Sequence, residues 1–241
     1  MEFTFDDFKK RATDKNLSKW EKVGFPDSYR SGIERIIFQD ICSKTEMSKA
    51  TAVLDIGCGC SELVDHVIAY ANAEKKSLFL VDSTEMLENI DKAPLRTNIH
   101  LVPGKFPDKE VVSKLAENAF DVIIVYSVIQ YVFIDQSIYS FIHACINLLK
   151  PGGRLLIGDI PNYQSRERFL NSENGKEFIA RFPEISNNIK LVHDNAERID
   201  DSVIMSIMLR FRQFGCETYL LQQAEGLPFS NRREDILIVK R

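Results

Sequence analysis

What this chain lacks narrows what it can do. No apolar stretch approaches the roughly 18 residues of a membrane-spanning helix. Basic residues never run longer than Lys9-Lys10-Arg11, and 31 Lys and Arg against 35 Asp and Glu leave a formal net charge of -4. Such a balance makes a poor surface for a nucleic-acid backbone. The five cysteines (Cys42, Cys58, Cys60, Cys145, Cys216) are odd in number and lack the spacing of a disulfide framework. Cys58 and Cys60 have no second Cys/His pair near them in sequence, whereas a structural zinc site wants four ligands, so no metal is expected. The opening MEFTFDDFKKRATDKN is mixed and charged, unlike a secretory signal. Internal repeats and low-complexity segments are missing too. These absences point to reduced thiols in a cytoplasmic protein with neither membrane nor nucleic acid as partner. With 44% hydrophobic residues in 241, the chain suffices for one large domain with a modest appendage.

What is present centres on Thr51 to Ser61, TAVLDIGCGCS. Ala52, Val53, Leu54 and Ile56 make an apolar run of strand length, Gly57-Cys58-Gly59 breaks it, and Ser61-Glu62 can open a helix. Two glycines at a strand-to-helix turn remove Cβ atoms where the backbone bends and a ligand comes close. A dinucleotide fingerprint needs a third small residue where Glu62 stands. Asp55, just ahead of the turn, repels phosphate and suits a cationic ligand with an amino-acid group. LDIGCGCS resembles motif I of the class I S-adenosylmethionine-dependent methyltransferases, normally D-x-G-x-G after the first strand. The resemblance implies S-adenosylmethionine as cofactor, held at Asp55, Gly57, Cys58 and Gly59, with S-adenosylhomocysteine as product.

Later segments extend it. Ser77 to Val81 reads as a second strand ending in Asp82, whose carboxylate can accept hydrogen bonds from two ribose hydroxyls. A helix N-cap is the other reading of Asp82, although Ser83 or Thr84 can fill that role. In the resembling family Asp82 and Ser83 open the run in which Met86 lies against adenine. After the third strand, Asn98 to Val102, the family commonly has an acidic residue for the adenine amino group. Here Lys105 takes that place, which puts the side-chain contact in question and leaves the Phe106 backbone to pair with the ring edge. The near-continuous run Phe120 to Val125 reads as a strand buried on both faces. Tyr126 and Ser127 follow, where the family lines the methyl-donor end, and Gln130 and Tyr131 are substrate-contact candidates or ordinary loop residues. A helix over 136–149 and LLKPGGRLLIGD are also family-like, a proline and glycines turning a helix end into a fifth strand.

Successive strand–helix alternations call for a Rossmann-like, doubly wound, seven-stranded and mostly parallel sheet, the last strand antiparallel. Sixth and seventh strands are expected over 217–222 and 235–240, after a helix from Ser202 to Phe214. Residues 1–50 read as an N-terminal helical cap, with a helix from Asp27 or Ser28 to about Cys42. In the family such leading helices often close over the methionine end, so Tyr29 and Arg30 either reach the cofactor carboxylate or sit on a capped surface helix. About forty residues after the fifth strand, 160–200, form an excursion where such enzymes build a substrate lid.

The implied chemistry is in-line methyl transfer to an oxygen or nitrogen of a small-molecule acceptor, which depends mostly on positioning. An acceptor that holds its proton tightly needs a base, for which Tyr131, Asp159 and His193 are the candidates. The stretch LSKWEKVGFPDSYRSG carries an impression of bacterial surface-sugar methyltransferases, so a sugar or nucleotide sugar of glycan synthesis is the expected acceptor. Two other readings stay open, a non-catalytic S-adenosylmethionine-binding subunit and a nucleotide-dependent oxidoreductase. Asp55 and Glu62 speak against the latter.

Overall fold

The sheet expected from the alternating pattern forms in full. The structure is a computed structural model and describes residues 4–181 and 198–241. Seven strands, β1 (Ala52–Ile56), β2 (Ser77–Asp82), β3 (Ile99–Pro103), β4 (Phe120–Tyr126), β5 (Leu149–Pro161), β6 (Cys216–Gln222) and β7 (Arg233–Lys240), lie in the order β3-β2-β1-β4-β5-β7-β6. All neighbours pair in parallel except β7, which is antiparallel to both β5 and β6. The chain winds outward in both directions from the β1/β4 boundary. In open α/β sheets the crevice outside the carboxyl ends at such a switch point is where ligands bind.

Alternating side chains give the sheet two buried faces. Leu54, Phe79, Ile123, Leu155 and Ile236 meet α7 (Lys109–Leu115), α9 (Ile138–Leu148) and α12 (Asp201–Gln213). Val53, Leu78, Leu80, Val122 and Leu156 meet α4 (Glu34–Thr45) and α5 (Glu62–Ala73) on the other face. Ala12, Ile37 and Ile41 belong to that second cluster, so the first 50 residues share a core with the sheet.

Three elements depart from the sequence reading. The helix expected from residue 27 to about 42 is two, α3 (Asp27–Arg30) and α4, because Gly32 adopts a left-handed φ of 76° between them. Residues read as loop after β4 form α8 (Ile129–Asp135), with Ile129 and Val132 buried, and α9 begins only at Ile138 behind a Ser137 cap. Strand β5 runs on to Pro161 through a register shift between Ile157 and Ile160 that pairs Ile160 with Glu234, and Asp159 takes φ 60° inside it. Ahead of α3, α1 (Phe5–Thr13) and α2 (Lys19–Lys22) start in capping boxes built on Thr4 and Ser18. Helices α10 (Tyr163–Asn171) and α11 (Glu173–Arg181) follow β5.

Candidate active site

The turn after β1 is built for close approach. Gly57 and Gly59 take φ of 73° and 65°, a region that costs an L side chain about 1–2 kcal/mol. A Cβ on Gly57 would stand 2.6 Å from Val128 Cγ2, and one on Gly59 2.7 Å from Val23 Cγ1. The Gly57 N–H donates back to the Val81 carbonyl at 2.8 Å, tying the turn to the end of β2. There Asp82 accepts from Gly59 N–H at 2.9 Å on one oxygen and from Ser83 N–H at 2.7 Å on the other. Each oxygen keeps accepting capacity, and Asp82 lines the cleft above the turn. Burial pushes its carboxyl up to about 6, with the two N–H donors pulling the other way.

The other end of the cleft carries opposite charges side by side. Arg30, 5% exposed, donates to Ser127 Oγ at 2.7 Å and to Asp159 at 3.2 Å, with its guanidinium 3.9 Å from the Phe25 ring centroid. Glu34, 1% exposed, accepts from Leu63 N–H at 3.0 Å and Trp20 Nε1–H at 3.3 Å. Burial raises its carboxyl above the ordinary value, against the pull of Arg30. Between the ends the walls are apolar: Met86, Phe106, Val132 and Phe141 on the sheet side, Phe5, Phe8, Val23 and Phe25 from the N-terminal segment. Lys105 closes one corner through an ion pair with Asp135 at 2.6 Å.

Several expected site residues do line this cleft: Arg30, Gly57, Cys58, Gly59, Asp82, Met86, Lys105, Phe106, Tyr126, Ser127 and Tyr131. Others go elsewhere. Tyr29 packs on Phe229, ring centroids 5.3 Å apart, and is not part of this cleft's lining. Asp55 lies under the turn outside the cleft lining, where burial and the neighbouring Asp82 push its carboxyl up to about 7. Ser83 is buried as the cap of α6 (Thr84–Leu87), its hydroxyl accepting from Met86 N–H at 3.1 Å. Glu34 is one charged cleft residue that sequence reasoning missed, Asp135 being another. The available signal was a carboxylate four residues past Arg30 among Ile33, Ile36 and Ile37, where an apolar helix face has no use for one.

The three candidate bases fare differently. Burial raises the Tyr131 phenol above its ordinary value, so it stays protonated and is no base at neutral pH. Asp159 is corrected from base to anchor. Its carboxylate accepts from Arg30, from the Ser127 hydroxyl, from Arg233 Nη1 at 2.5 Å and from Gln223 at 3.1 Å, and its own N–H donates to Asp235 at 2.8 Å. Three of those donors share Oδ2, and the carboxylate ties β5 to Arg30, Arg233 and Gln223. His193 and its neighbour Asp194 lie outside the described residues. Among the described residues no cluster of His, Cys, Asp and Glu could hold a metal ion.

A second cavity, about 450 Å³, lies on the far side of α8. Tyr131, Val132 and Asp135 line the first cleft, whereas Gln130, Phe133 and Ile134 line the second, so one helix forms the partition.

A family model described as "Methyltransferase domain" matches residues 47–196. Over 155 residues, 64% of this chain, the sequence is 29% identical to chondramide synthase of Chondromyces crocatus, and the match spans only 4% of that synthase. Among solved structures, the plantazolicin methyltransferase BamL, in complex with a triazolic desmethylPZN analog and SAH, superposes with a TM-score of 0.59 at 14% identity, covering 98% of this chain and 96% of that one. The N-methyltransferase NodS of Bradyrhizobium japonicum, in complex with S-adenosylhomocysteine, does so with a TM-score of 0.58 at 12% identity over 98% and 97%.

Proposed function

The chain belongs to the methyltransferase-domain family, and on that premise we propose that it binds S-adenosylmethionine in the cleft over the Gly57–Gly59 turn and transfers the methyl group to an oxygen or nitrogen of a small molecule. The observation that carries the reading is the charge order along the cleft. A carboxylate with spare acceptor capacity, Asp82, stands at the glycine turn, and a buried cation and anion, Arg30 and Glu34, stand at the far end. That order matches a ligand with a diol in its middle and an amino-acid zwitterion at one end. A dinucleotide would place pyrophosphate beside Asp82, whose ionised carboxylate repels it.

Each residue then has a task. Asp82 accepts from the ribose hydroxyls. Arg30 meets the α-carboxylate and Glu34 the α-ammonium. Met86 and Phe106 sandwich the flat apolar ring, and Phe5 and Phe8 exclude water from above. When bound, S-adenosylmethionine supplies a methyl group whose bond to sulfur breaks, leaving the electron pair on sulfur, as an acceptor lone pair forms the new bond. Orientation is the main contribution of the protein, and none of the described cleft residues is left free to act as a strong base. An acceptor whose nucleophilic atom sheds its proton readily, such as an amine or a phenol, suits such a site. The sugar acceptor expected from sequence has no support in the site or among the relatives and is not carried forward.

Isothermal titration with S-adenosylhomocysteine and, separately, NADH tests the assignment. Saturable binding of the former with none of the latter is the expected result. The reverse would return the chain to the oxidoreductase reading, and tight S-adenosylhomocysteine binding with no methyl transfer to any amine or phenol pool would favour a non-catalytic subunit.

A further inference from the structure

The cleft has one more charged place, the corner where Lys105 Nζ meets Asp135 Oδ2 at 2.6 Å. Its position follows from the backbone. Pro103, at the end of β3, pairs with Asp82, and the Gly104 N–H donates to the Asp82 carbonyl at 2.9 Å. Lys105 and Phe106 therefore begin one strand over from the carboxylate assigned to the ribose. Asp135 is the last residue of α8, and the next residue, Gln136, donates from Nε2 to the Phe106 carbonyl at 3.2 Å. That bond pins the end of α8 to the loop that carries Lys105.

Stability does not account for the pair. Its side chains are 31% and 27% exposed, and ion pairs so well solvated contribute little. A carboxylate at the C-terminal end of a helix also faces the negative end of the peptide dipoles, where a cation would be favoured. Lys105 engages one oxygen of Asp135, and the other has no partner among the described residues. The backbone acceptors beside it are engaged, the Lys105 carbonyl by Asp108 N–H at 2.8 Å and the Phe106 carbonyl by Gln136. A flat ring lying between Met86 and Phe106, with its sugar at Asp82, turns its outer edge toward this corner. An ionised carboxylate only accepts, so it favours a ring edge bearing N–H and opposes one bearing a carbonyl oxygen.

We propose that Asp135 reads the base of the methyl donor, its free carboxylate oxygen accepting from the exocyclic amino group of adenine, with Lys105 as the positioning residue that holds the other oxygen. The inference rests on the reading that this cleft binds S-adenosylmethionine, and it adds which residue sets base specificity there. The side-chain contact that a lysine at position 105 cannot make is thereby supplied by the helix after β4. Selection of a 6-amino over a 6-oxo purine is the consequence.

Titration calorimetry on the full chain tests this with S-adenosylhomocysteine and S-inosylhomocysteine, in which an oxo group replaces the amino group of the purine. Wild type is expected to prefer the former by about tenfold or more, the difference made by one charge-assisted contact. Asp135→Asn should weaken S-adenosylhomocysteine about tenfold and bind S-inosylhomocysteine as well as wild type or better, because an amide N–H can donate to the oxo group. That collapse of preference separates base reading from a structural role, since damage to the cleft weakens both ligands together. Lys105→Gln, on a different element, should weaken S-adenosylhomocysteine about threefold and reduce the preference, and it stays informative if Asp135→Asn does not fold. Equal wild-type affinity for the two ligands overturns the proposal. So does a preference undiminished by the substitutions, or an Asp135→Asn variant that loses both ligands by the same factor. A wild type that binds neither ligand would instead sink the cofactor reading itself, so the two failures are told apart.

Discussion

Changing Asp82 to Asn removes charge with almost no change of shape, and the structure says what should follow. The ionised carboxylate has two oxygens, each already accepting one backbone N–H and each with room for a ribose hydroxyl. Asn keeps one oxygen. One charge-assisted bond to the ligand is lost, about 2 kcal/mol, and S-adenosylhomocysteine should bind roughly 30-fold more weakly near neutral pH. The pH dependence is the sharper test. The Asp82 carboxyl titrates at about 6, and only its ionised form accepts from both hydroxyls. Wild-type affinity should therefore fall as pH drops through that value, by up to the roughly 30-fold lost in Asp82→Asn, while the variant should lose less over the same range. Calorimetric titrations between about pH 5 and 8, with a thermal melt at each pH to confirm folding, supply the data. A variant that binds within about threefold of wild type near pH 7.5, or a wild-type affinity flat across the range, would refute the role given to Asp82.

Three further outcomes are expected. Gly57→Ala should cost about 2–3 kcal/mol in urea unfolding, from the left-handed φ and the 2.6 Å approach to Val128, with the Val128→Ala double variant recovering the steric part. No recovery would mean that the two do not touch. Asp55, raised from 3.8 to about 7, stays protonated in the folded chain where the unfolded chain has already ionised, so stability falls as pH rises from about 4 to about 7. Asp55→Asn should then melt higher than wild type at pH 8 and no higher at pH 4, and equal shifts at both would rule the explanation out. Asp159→Asn leaves the buried Arg30 and the half-buried Arg233 without their anion and should destabilise by about 3 kcal/mol. If Asp159 were a catalytic base, the variant would instead lose turnover at unchanged stability.

The sheet, the glycine turn and Asp82 were legible because each is written locally. An apolar run of strand length, two glycines and a carboxylate at a strand end need no knowledge of the rest of the chain. Gly32 also carried a local signal, yet the apolar spacing around it reads as continuous helix, and only the φ of 76° shows the break. The fates of Tyr29 and Asp159 were not legible. Tyr29 and Arg30 are adjacent on one short helix, yet only Arg30 lines the glycine-turn cleft, a matter of a helix's angular step that its packing decides. In sequence Asp159 reads as the end of a strand, whereas β5 continues past it, and what makes it an anchor is the arrival of Arg30, Gln223 and Arg233 from distant sequence.

That last point bears on the order in which the molecule comes into being. The segment from Thr51 to Pro161 holds every motif by which the cofactor cleft was recognised, yet it cannot finish the site alone. Asp159 waits for Arg233 and Asp235, 74 and 76 residues downstream, and Lys44 reaches Asp235 across 191 residues. During synthesis the glycine turn and Asp82 therefore emerge well before the residues that fix Arg30 against Ser127. Contacts so far apart in sequence close late, because their loop entropy must be met before they stabilise anything. Ligand capture by a growing chain should begin only once β7 has slotted between β5 and β6.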